Sequence, residues 1–142
     1  MQNEAIFIPM CVYTLLLFGL WGLVGWVRIT GAQRGEISGQ YLRVGIGEPP
    51  PERIVMVHHH FSNQFEVPVL FYVACMALFL TDAVGSLALW LAWFFVAMRV
   101  AHTAIVVTTN RPQVRVIPFV LGSLTVWALW VAVFVRVVGG AG

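Results

Sequence analysis

The chain has 142 residues, of which 60% are hydrophobic and only 10% charged. That balance excludes an ordinary soluble domain, in which about a quarter of residues are charged, and it marks an integral membrane protein. The formal net charge of +2 is too small to suggest nucleic acid as a partner.

A helix that crosses the hydrocarbon needs about 20 mostly apolar residues, and four windows meet that length. The first, 6–27, follows Met1-Gln2-Asn3-Glu4, which carries no basic residue. Its apolar run is too long for a cleaved signal, so it is expected to stay as the first helix. Within it Gly19, Gly22 and Gly25 recur every third residue, a spacing that would let a neighbouring backbone approach closely. Next comes a polar connection, 28–59, rich in Gly and Pro around 45–51. The remaining windows are 60–80, 86–107 and 116–138, joined by short connections. Cys11 and Cys75 fall inside windows without polar neighbours and read as free, buried, small hydrophobes. The sequence therefore describes one all-α domain, a four-helix transmembrane bundle over 1–142.

All eight basic residues are arginines. Arg28, Arg34, Arg43 and Arg53 lie in the first connection and Arg111 and Arg115 in the third, while the N-terminus and the second connection have none. By the positive-inside rule the first and third connections face the cytoplasm and both termini face the opposite side, with Arg136 the one count against it. Arginine without lysine and short loops fit a bacterial inner membrane, with a periplasmic N-terminus.

Charged residues inside a bilayer are costly and mark function. Glu66 and Arg99 lie within windows, close to Asn63 and His102. At a rise of about 1.5 Å per residue, Glu66 lies roughly 9 Å inside its helix, and Arg99 and His102 lie roughly 12 and 8 Å inside theirs. All four are thus expected in one layer on the cytoplasmic side. His59, Asn63 and Glu66 are spaced i, i+4, i+7 and share a helical face, as do Arg99 and His102 at i, i+3. Pro68 within the helix would free a carbonyl near Gln64. A buried Glu66–Arg99 ion pair that only fixes helix register is one reading. The surplus of polar groups favours a polar ligand entering from the cytoplasm. His58, His59 and His60 point about 100° apart on a helix and cannot share an ion, so no metal site is expected, and His58 and His60 read as membrane-surface residues.

These residues resemble the MAPEG superfamily, the membrane-associated proteins in eicosanoid and glutathione metabolism that include the microsomal glutathione transferases. The likeness rests on Asn63-Gln64-Phe65-Glu66 with Pro68, on Arg99-Val100-Ala101-His102, and on Asn110-Arg111-Pro112-Gln113-Val114-Arg115 with Pro118, Phe119 and Gly122. It implies a homotrimer with glutathione sites between subunits, open to the cytoplasm and reachable from lipid. Carried over, Asn63 and Glu66 would hold the peptide part of glutathione, and Arg28 and Arg111 would offer positive charge to it. Arg99 would support Glu66, His102 would line the site, and Arg115 would approach the thiol. The implied reaction is glutathione transfer to hydrophobic electrophiles, or reduction of lipid hydroperoxides, with glutathione as co-substrate and no metal.

The chain departs from the family pattern at His59, where better-known members have arginine, and at Val67 and Val106, where tyrosine is frequent. Protonated, His59 would partly replace the arginine. Fewer ligand anchors leave an alternative, a non-catalytic subunit that binds lipid or serves assembly. A transporter would need a polar stripe running to the far side, and the outer halves of the windows are almost wholly apolar.

Overall fold

The computed structural model describes residues 3–140, so Met1 and Gln2 of the N-terminal tetrapeptide lie outside the described residues. Among these residues all regular structure is helical. A 3₁₀ turn, Glu4–Ile6, leads into α1 (Phe7–Gln33), followed by α2 (Gly39–Val44), α3 (Glu52–Asn63), α4 (Val67–Leu80), α5 (Ser86–Thr108) and α6 (Pro112–Gly139). Four stretches are long and apolar enough to cross a bilayer: Glu4–Gln33, Glu52–Leu80, Ser86–Thr108 and Pro112–Gly139. The all-α, four-span architecture expected from composition is what forms.

Helix ends follow local chemistry rather than hydropathy, so the helices outrun the apolar windows. α1 continues to Gln33, and α3 begins at Glu52, directly after the run Pro49-Pro50-Pro51. Proline suits a helix start because its missing N–H would have no partner there. Much of the expected 28–59 connection is therefore helical. It also contains α2, whose first turn is capped by the Ser38 hydroxyl accepting from the Tyr41 N–H at 3.2 Å. Gly45, at φ +70°, closes that helix in the left-handed conformation that favours glycine.

The second span is broken rather than kinked. The Gln64, Phe65 and Glu66 N–H groups bond three residues back, to Phe61, Ser62 and Asn63 carbonyls, and Glu66 takes φ −95° and ψ −102°. Pro68 stands in the first turn of α4, so it starts a new helix and does not interrupt a continuous one.

The core lies where all four spans meet. Phe71 of α4 and Phe95 of α5 stack with centroids 4.2 Å apart, and the Tyr13 ring of α1 sits edge-on to both. All three are fully buried, as is Leu129 of α6. Phe18, Trp21, Trp90, Trp127 and Phe134 point outwards, which costs nothing where the solvent is hydrocarbon. Gly19, Gly22 and Gly25 have no atom within 4 Å of where a Cβ would stand, so the backbone approach expected there does not occur within the chain. Cys75 is buried as expected, whereas Cys11 lies on the exposed surface of α1; both are free.

Two other glycines stand where helices meet. At Gly122 a Cβ would stand 3.5 Å from the Met98 Cβ, an ordinary contact distance between α6 and α5. At Gly31 it would stand 2.7 Å from the Ile54 Cδ1 and 3.1 Å from the Ile37 Cδ1, which seats α3 on the end of α1. A bulkier residue must push those tips aside. Gly31→Leu is expected to cost about 1–3 kcal/mol, read as a lower melting temperature in detergent. Ile54→Val, which removes the Cδ1, should recover part of that loss in the double variant.

Candidate functional site

Between α3, α5 and the start of α6, at the arginine-rich end, lies an open cavity of about 650 Å³. His59, His60 and Asn63 line it from α3, His102 and Val106 from α5, and Arg115 and Phe119 from α6, with Asn110 from the turn between α5 and α6. That turn is shaped by Asn110 itself. With φ +45° it ends α5, and its N–H bonds the Ile105 carbonyl at 2.8 Å. Its side-chain oxygen then accepts from Arg115 Nη1 at 2.7 Å, which holds the guanidinium at the cavity wall.

His102 is oriented from the same helix. Its Nδ1 lies 2.9 Å from the Arg115 carbonyl oxygen. A carbonyl can only accept, so Nδ1 carries a proton and Nε2 is the acceptor of the neutral ring. Pro118, inside α6, has no N–H for the Val114 carbonyl, one residue before the Arg115 carbonyl that meets the imidazole.

Behind the cavity wall runs a buried hydrogen-bonded chain that joins three spans. Tyr13 Oη donates to Gln64 Oε1 at 2.8 Å. Gln64 Nε2 donates to the His60 carbonyl at 3.1 Å and lies 3.4 Å from His60 Nε2. His60 Nε2 in turn lies 3.0 Å from Thr103 Oγ1. His60 is therefore a buried, partnered residue of the site and not the surface histidine expected. Its spacing of i, i+4 from Gln64 was the available signal. His58 and His59 are exposed, and the three adjacent histidines diverge.

Of the residues singled out by sequence, His59, Asn63, His102 and Arg115 are brought together. Asn63 Oδ1 is buried and finds no donor among the described residues. Glu66 and Arg99 do not join them, and the expected Glu66–Arg99 pair does not form. Arg53–Glu36 is the ion pair found among the described residues. The helical face shared by His59, Asn63 and Glu66 ends at Asn63, because the backbone leaves helical geometry before Glu66, whose side chain is exposed. Arg99 is completely buried one turn below His102. Its guanidinium lies 5.3 Å from the centroids of both Phe95 and Phe119, and its three nitrogens have no acceptor among the described residues. Arg111 is exposed at the N-cap of α6. Arg28 lines a second cavity, which shares His59 and Val55 with the first.

A model of the MAPEG family matches residues 6–135, nearly the whole chain. The chain belongs to the MAPEG family. Membership agrees with the four apolar spans and brings the chain among membrane proteins related to glutathione and eicosanoid metabolism. No curated protein and no solved structure matches the chain. The MAPEG motif residues split in this fold. Asn63, His102, Asn110, Pro112, Arg115 and Phe119 line the cavity, while Gln64 and Arg99 are buried behind and beneath it and Arg111 is exposed.

Burial separates the two kinds of polar group. Tyr13→Phe would leave Gln64 Oε1 buried without a donor and is expected to cost about 1–3 kcal/mol. Arg99 gains about 2 kcal/mol from its two rings against a desolvation cost of several kcal/mol. Arg99→Met is therefore expected to hold or raise the melting temperature in detergent. A fall as large as that of Tyr13→Phe would reveal an anionic partner for Arg99.

Proposed function

We propose that the cavity binds glutathione and that the protein is a glutathione-dependent transferase or peroxidase acting on hydrophobic electrophiles or lipid hydroperoxides in the membrane. The observation that carries this reading is the pairing of an anchored arginine, Arg115, with a buried and unsatisfied acceptor, Asn63 Oδ1, on the walls of one cavity. The acceptor suits an amide or ammonium N–H of a peptide. The arginine suits a thiolate, the form of the thiol that reacts.

Arg115 carries its charge permanently and stands in the first turn of α6, where the helix dipole acts in the same sense. Together they favour loss of the thiol proton to water at the open mouth. The thiolate then bonds to an electrophilic carbon, whose displaced electron pair leaves with a leaving group or takes up a proton. With a hydroperoxide, two thiols are oxidised to the disulfide while the peroxide is reduced to alcohol and water. The protein forms no covalent intermediate, and much of the acceleration comes from holding a polar and an apolar reactant together. His59 and His102 complete the wall, and Arg99 adds positive potential from below.

Glu66, Arg28 and Arg111 fit this function in a homotrimer, where each would reach a neighbouring subunit's site. The exposed Glu66 carboxylate at the break in a membrane span supports assembly, since such a charge needs a partner. The proposed setting is a bacterial inner membrane with the N-terminus periplasmic, so that the arginine-rich end meets cytoplasmic glutathione. Val106 in the cavity wall favours a second reading, a lipid-binding or assembly subunit without thiol chemistry, because it supplies no hydroxyl to the ligand.

Glutathione titrated into detergent-solubilised protein is expected to give a saturable thiolate band in the ultraviolet near neutral pH. Arg115→Ala should abolish the band. Asn63→Leu should weaken binding by about tenfold, the equivalent of one buried hydrogen bond. Absence of both band and binding in the wild type would end the transferase reading.

A further inference from the structure

The arginine-rich end holds a second cavity, of about 460 Å³, of whose lining the glutathione reading uses only Arg28 and His59. It is enclosed by the end of α1, the short helix α2 and the start of α3. Arg28, Arg43, His58 and His59 supply its cationic and donor groups, and Tyr41 adds a phenol. Ile37 and Ile54 form part of an apolar wall. No carboxylate lines it, and Glu36, which stands next to Ile37 in sequence, is held by Arg53. Neither Arg28 nor Arg43 has an ion-pair partner among the described residues. The pocket is thus built for an anion attached to something apolar.

Depth identifies the occupant. Arg28 stands at the end of the long apolar run of α1, between the exposed Trp26 and Ile29. Leu42 of α2, at the pocket's rim, is partly exposed, and beside the pocket Val44 and Ile46 are exposed by 61% and 70%. An aqueous loop gains nothing from three exposed aliphatic side chains flanking an arginine. A loop lying on a membrane does, because the aliphatic groups enter the acyl layer while the cations stay among the phosphates. Basic pockets at that level take anionic lipid headgroups.

We propose that this pocket binds the phosphate headgroup of an anionic phospholipid, with Leu42, Val44 and Ile46 inserted into the adjoining leaflet. Lipid capture here needs no thiol at the neighbouring cavity.

The test is thermal unfolding of the purified protein in a neutral detergent, titrated separately with phosphatidylglycerol, phosphatidylcholine, glycerol phosphate and glutathione. Native mass spectrometry of the same samples counts retained lipid. Phosphatidylglycerol is expected to raise the melting temperature saturably and to stay bound, while phosphatidylcholine and glycerol phosphate do neither. Arg43→Gln, on the exposed helix α2, should weaken the phosphatidylglycerol effect by about tenfold, the equivalent of one charge-assisted hydrogen bond, and leave the glutathione titration unchanged. Arg28→Gln should weaken the lipid effect to a similar degree. Equal responses to the two lipids, or wild-type responses in both variants, would overturn the proposal. Saturation by glycerol phosphate alone would overturn the lipid assignment in favour of a soluble phosphate. Displacement of phosphatidylglycerol by glutathione would make the pocket part of the thiol site and would overturn it as well.

Discussion

The arrangement of the arginine-rich end depends on one buried side chain, Gln64, which ends α3 with its amide turned inwards. Its oxygen takes the Tyr13 proton and its nitrogen reaches back to His60, so α1 and α3 are tied together below the polar end. His60 continues the tie to Thr103 of α5. With His60 fixed inwards, helical geometry decides the rest. His59, one residue earlier, falls between the two cavities, and Asn63, one turn after His59, falls on the wall of the first. Hydrogen bonds this deep have no water to compete with them, and a lost partner leaves a group unsatisfied in a medium of low dielectric constant.

Arg99 is held by a different balance. Its neighbours offer aromatic faces instead of acceptors, with the Phe95 and Phe119 rings each 5.3 Å from the guanidinium. Two rings offset only part of the cost of burying that charge, and charges kept inside membrane spans at such a cost commonly mark function.

The fold was legible because the bilayer writes itself into composition. Four apolar windows, no strand signal and arginines gathered in two connections were enough to give an all-α bundle with its polar end. Part of the cavity wall was legible too: His59 and Asn63 by spacing, His102 by depth and Arg115 through the family resemblance, and all four line one cavity. The failures share a cause. Reading Glu66 as i+7 from His59 assumed a continuous helix, and the break at Gln64–Glu66 turned it elsewhere. Pairing Glu66 with Arg99 by opposite charge and equal depth ignored azimuth, which depth along a helix does not determine. His60 was read with His58 as a membrane-surface histidine, although a helix turns residues two apart to different surroundings. Cys11 was assigned to the interior, but hydropathy cannot distinguish a lipid-facing flank from a core-facing one.

His59 and Val55 belong to the walls of both cavities at the arginine-rich end. A side chain in a common partition can lean into one chamber or the other, but not into both. A ligand that moves this imidazole on entering one chamber would alter the shape and charge offered by the other, and any such effect would be equal in the two directions. The partition gives the two chambers of this bundle one imidazole in common.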